Sequence, residues 1–140
     1  MVFKLALRIA AMAAASALIS PVVLAAGFDG KSNLVCAATD VVACAEAFNC
    51  VEARAGVFEL PDFMYVDFER KIVHARLADA TAQVQSQIRG QIASERALIL
   101  QGFENHQGWT LSVNRESGRM TTSVAGGPAS YMIRGVCTPI

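Results

Sequence analysis

The residues between Trp109 and Cys137 constrain the fold of this chain more than any other stretch. Trp109, Leu111 and Val113 fall on one side of an extended backbone, and Thr110, Ser112 and Asn114 fall on the other. A period of two in aromatic and β-branched residues marks a half-buried strand. Asn114-Arg115-Glu116-Ser117-Gly118 follows, with Gly118 suited to the left-handed position that closes a hairpin loop. Met120, Thr122 and Val124 then share one face of a return strand. After the Gly126-Gly127-Pro128 turn, Tyr131, Ile133, Gly135 and Cys137 share a face of a third. The chain therefore ends in a three-stranded antiparallel meander.

Upstream the same grammar repeats. Phe63 to Phe68 reads as a strand entered after Pro61, Glu69-Arg70-Lys71 as a charged turn, and Ile72 to Leu77 as the returning strand. Leu98 to Phe103 is another apolar run of strand length, linked by the loop Glu104 to Gly108 to the Trp109 strand. Residues 78–97 carry two signals. Val84, Ile88 and Ile92 recur at helical spacing, whereas Val84, Ser86 and Ile88 fit alternation, and the surrounding β pattern favours strand. Residues 37–48 fit either element. The expected fold is all-β and mainly antiparallel, a small barrel or sandwich of about seven to nine short strands. Pairing of the first strand with the last would remove its edges.

The N-terminus has a different character. Lys4 and Arg8 precede an uncharged run from Ile9 to Ile19, then Ser20-Pro21 and small residues up to Ala26. Basic start, short apolar centre and small-residue exit describe a secretory signal peptide over residues 1–26. The run is too short to span a bilayer, and no cysteine follows the cleavage pattern to carry a lipid. Residues 27–140 then form one small β-rich domain, periplasmic or secreted, with no membrane anchor. Lys4 and Arg8 leave with the signal, so ten basic residues remain against twelve acidic ones, a formal net charge of −2. That balance gives no footprint for nucleic acid.

Cys36, Cys44, Cys50 and Cys137 all lie in the exported part, where thiols oxidise to disulfides. Their intervening gaps of seven, five and 86 residues match neither the two-residue gap of a redox motif nor the usual spacing of a zinc site. Of three possible pairings, the spacing favours Cys44–Cys50 across the Ala45 to Asn49 turn and Cys36–Cys137 between the first and last strands. A link over so long a loop matters most in a small domain.

No catalytic, cofactor or metal-ligating motif emerges. His74 and His106 are the only histidines, and no nucleophile signature surrounds Ser112, Ser117 or Ser123. Asp62, Asp67 and Glu69 flank a strand and its turn, where carboxylates are ordinarily solvated. Trp109, with Tyr65 and Tyr131, either fills a core or lines a ligand site. Arg134 shares a face with Met132 and Val136 and points either to solvent or to a bound anion.

Two resemblances bear on the reading. The run of Cys36, Leu60-Pro61-Asp62-Phe63, Val66-Asp67, Leu100-Gln101-Gly102, Gly108-Trp109, Gly118-Arg119-Met120 and Gly135-Val136-Cys137 resembles small exported proteobacterial proteins. That resemblance implies a shared β-rich domain and carries no activity. Ser117-Gly118 resembles the Ser-Gly-x-x-Tyr loop of periplasmic inhibitors of c-type lysozyme, small barrels with a disulfide-bonded C-terminal cysteine. Thr121 stands here where that tyrosine belongs. Three functions follow as expectations. The first is a non-enzymatic binding module for an envelope protein or small ligand, with Trp109, Arg134, Ser117 and Gly118 as candidate contacts. The second is a lysozyme-inhibitor-like protein, and the third a small hydrolase using His74 or His106.

Overall fold

The computed structural model describes residues 27–46, 49–76 and 83–140, so the expected signal peptide and part of the ambiguous 78–97 segment lie outside it. Nine strands are present: β1 (Leu34–Glu46), β2 (Asn49–Ala53), β3 (Phe63–Asp67), β4 (Ile72–Arg76), β5 (Gln83–Ala93), β6 (Ala97–Glu104), β7 (Gln107–Asn114), β8 (Arg119–Ala125) and β9 (Ser130–Pro139). A single 3-10 turn, Ala55–Phe58, links β2 to β3. The order is β2-β1-β3-β4-β5-β6-β7-β8-β9, and β9 returns to pair with β1. Eight strands thus close into an antiparallel barrel, and β2 adds a ninth against the far half of β1.

The meander read from the sequence is present in its expected register. Trp109 faces Val124, Leu111 faces Thr122 and Val113 faces Met120, while Thr122 faces Ile133 and Met120 faces Gly135. Leu111, Val113, Met120 and Ile133 on this side are buried and form the core together with Leu34, Val41, Val66, Leu98 and Leu100, with Trp109 partly buried against it. Thr121, Ser123, Arg119 and Arg134 alternate with them and are exposed. The inward side chains are mainly apolar, and the outer wall mixes polar residues with exposed Phe63, Ile92, Met132 and Val136.

Within the two ambiguous segments, the described residues 37–46 lie in β1 and 83–93 form β5, and each strand contains a bulge. In β1 the register with β9 shifts between Ala38 and Asp40. Leu34 and Cys36 point inward before the shift, and Val41 points inward after it. Gly135 lies opposite Ala38, and any Cβ there would strike the Ala37 carbonyl oxygen, so glycine is what lets β9 follow the bend. In β5 the register with β6 shifts between Ile88 and Gly90. Gln91 then lies opposite Leu100 and donates from Nε2 to the Gly30 carbonyl at 2.9 Å.

That bond anchors the stretch before β1, which closes one end of the barrel. Phe28 packs on the core beside Gly118, and Asn33 Oδ1 accepts the Phe68 amide at 3.0 Å. Asp29 Oδ1 accepts the amides of Lys31 and Ser32 and fixes the turn between them. Both expected disulfides are present. Cys36–Cys137 joins facing residues of β1 and β9, and Cys44–Cys50 joins facing residues of β1 and β2. The first crosses the seam where the barrel closes; the second holds the added strand.

Candidate functional site: an apolar cavity in the barrel mouth

The other end of the barrel is not filled. Met64 of β3, Val73 and Ala75 of β4, and Val84 and Ser86 of β5 line half of a cavity of ≈ 170 Å³. Trp109 and Leu111 of β7, Thr122 and Val124 of β8, and Ile133 of β9 complete the wall. Leu60 and Pro61, between the 3-10 turn and β3, also line the cavity. An eight-stranded barrel is just wide enough either to be filled by side chains or to hold one small ligand. The small residues Ala75 and Ser86 in the upper layer leave this one in the second condition.

Trp109 is placed by its neighbours. It faces Gly102 across the β6–β7 pair, and a Cβ on Gly102 would collide with the indole ring and with the Gln87 carbonyl oxygen. Gly102 is therefore the berth in which the indole lies against the wall. From there Nε1 donates to Ser86 Oγ at 2.8 Å, across to β5. Thr122 Oγ1 donates to Met120 Sδ at 3.9 Å. The indole N–H and the threonine hydroxyl are thus engaged within the wall. Among the described residues no Asp, Glu, Lys or Arg lines the cavity, and His74 of β4 does.

The other sequence candidates, His74 apart, lie elsewhere. Arg134 is on the outer wall, where its guanidinium donates to Glu52 Oε1 at 3.1 Å, with the two side chains 57 and 61% exposed. It faces Asp40 across the β1–β9 pair, so negative side chains adjoin this cation on two sides. Ser117 and Gly118 are at the plugged end. Asn114 Oδ1 accepts the amides of Glu116 and Ser117 and the Ser117 hydroxyl, which occupies that hydroxyl within its own loop. Gly118 has φ +71° and is pressed between Phe28 and the Cys137 carbonyl, as the hairpin reading requires. The structure therefore does not bring Trp109, Arg134 and Ser117 together.

His74 and His106 do not meet either. His74 stacks on Tyr65 with centroids 5.2 Å apart, and its Nδ1 lies 2.6 Å from Gln83 Nε2. His106 follows Asn105 in the β6–β7 hairpin, both at positive φ, as a two-residue turn with the strand twist demands.

Sequence reasoning missed Ser86, Val84 and the Leu60-Pro61 segment. It also missed why glycine stands at position 102. The one available signal was the pairing of Leu100-Gln101-Gly102 with Gly108-Trp109 across a short hairpin, in which a glycine opposite a tryptophan marks a ring lying flat on the sheet. Compared with protein-family models, curated proteins and solved structures, the chain matches none. The geometry of the site carries the functional reading on its own.

Proposed function

We propose that this protein is a non-enzymatic, exported β-barrel that binds a small apolar ligand in its open mouth. The observation that carries the reading is the ≈ 170 Å³ cavity against Trp109, with no Asp, Glu, Lys or Arg among the described residues of its lining. An engineered apolar cavity of about 150 Å³ stays dry and takes up benzene or xenon. Barrel mouths are a recurrent place for such sites. The periplasm or the medium is the compartment proposed, on the basic, apolar and small-residue order of residues 1–26 and the two disulfides.

Trp109 is the sole tryptophan, so its emission reports the cavity without labelling. Cyclohexane titrated into the folded protein is expected to change that emission saturably, with one site per chain. A linear, unsaturable response would refute the proposal.

A further inference from the structure

We infer that the ligand is an amphiphile with a single aliphatic chain, of which only the terminal six or so carbons enter the barrel. The inference rests on the cavity reading above and adds to it the class of molecule. Three observations lead to it. First, the space is that of about six carbons, since a cavity of roughly 150 Å³ accommodates benzene and this one has ≈ 170 Å³. Second, the Trp109 N–H and the Thr122 hydroxyl are bonded within the wall, no Asp, Glu, Lys or Arg lines the space among the described residues, and the surface it presents is almost wholly apolar. A carboxylate, hydroxyl or amide drawn against that surface would lose most of its water, which is costly. Third, the space is not sealed. Val84 lines it and is nevertheless 47% exposed.

A molecule that travels through water at useful concentration carries a polar group, and the second observation keeps that group outside. The third gives the remaining chain a way out beside Val84. The ligand is thus held by its end. Its head group faces solvent and is not selected by charge, because no Asp, Glu, Lys or Arg lines the cavity among the described residues.

The test is a homologous series of 1-alkanols from one to ten carbons, titrated below their aggregation limits and read by Trp109 emission. Each methylene that enters the cavity is expected to raise affinity about fourfold. The rise is expected to break near six carbons and to continue at less than about twofold per methylene on the open rim. Octanoate and octylammonium are expected to bind within a few-fold of 1-octanol. Ala75→Leu adds three carbons to the wall and is expected to move the break to about three carbons. Where that variant does not fold, the native series decides alone.

An unbroken slope to ten carbons, or one charged head preferred by more than tenfold, overturns this inference. So does saturable cyclohexane binding with no dependence on alkanol length, an outcome that leaves the cavity reading standing. Failure of cyclohexane and every alkanol to bind overturns both.

Discussion

The two disulfides should contribute unequally to stability, and the difference follows from where each lies. Cys36 and Cys137 are 101 residues apart in sequence and face each other where β1 meets β9. Cys44 and Cys50 are six apart, in one hairpin. In the chain-entropy account, a crosslink removes freedom from the unfolded chain in proportion to the logarithm of the loop it closes. The longer loop gives about 4.7 kcal/mol and the shorter about 2.2 kcal/mol. Cys36 and Cys137 are also buried, so their removal takes packing from the core as well. Urea unfolding of Cys36→Ala/Cys137→Ala and of Cys44→Ala/Cys50→Ala against the native protein measures the contrast. With a slope of about 1.5 kcal/mol per molar urea, the midpoint should fall by about 3 M for the seam pair and about 1.5 M for the hairpin pair. The seam variant would then approach the whole stability of an ordinary small domain. Equal shifts, or a larger one for the hairpin pair, would refute the view that the seam disulfide is what secures barrel closure.

Three further outcomes are expected. Gly102→Ala should cost about 1–3 kcal/mol by overpacking, because the new methyl displaces the indole; Trp109 emission should shift to the red in the same variant, and an unchanged spectrum would count against the berth. The amides of Ser32 and then Lys31 hold the Asp29 carboxyl below its ordinary value of 3.8. A depressed carboxyl stabilises the fold above that ordinary value and loses the effect as pH falls through its lower folded value. Native protein and Asp29→Ala should therefore differ in thermal midpoint near neutrality and converge in strong acid; a gap that widens on acidification would contradict the assignment. Finally, c-type lysozyme should keep its lytic activity in the presence of excess protein, since the Ser117 hydroxyl is bonded within its own loop and Thr121 replaces the expected tyrosine.

What could be read beforehand depended on whether alternation ran unbroken. From Trp109 to Cys137 it does, and the strands, their inward faces and the Gly118 turn follow directly from the residues. In β1 and β5 it does not. Each bulge moves the inward set from even to odd positions, so Leu34 and Cys36 are followed by Val41, and Ser86 and Ile88 by Gln91. Half of such a strand then contradicts the other half, and in β5 the broken pattern mimics helical spacing. β2 is exposed along almost its whole length and so carries no burial pattern to detect. The cysteine pairing was legible because each bridge joins directly opposed residues of neighbouring strands.

The candidate site was legible only in Trp109. A cavity is made by what surrounds it being too small, and no local pattern records that Ala75 and Ser86 fall in one layer or that Leu60-Pro61 lines it. Arg134 shows the opposite case. Its sequence neighbours Met132 and Val136 left its direction open, and the structure places it outside with Glu52.

Xenon tests the central claim most directly, because it has no polar group and binds only where a dry apolar space of the right size exists. A crystal of the protein pressurised with xenon is expected to show one strong site inside the barrel mouth, between Trp109, Val84 and Ile133. Ordered water in that space, or xenon bound only elsewhere, would contradict the account.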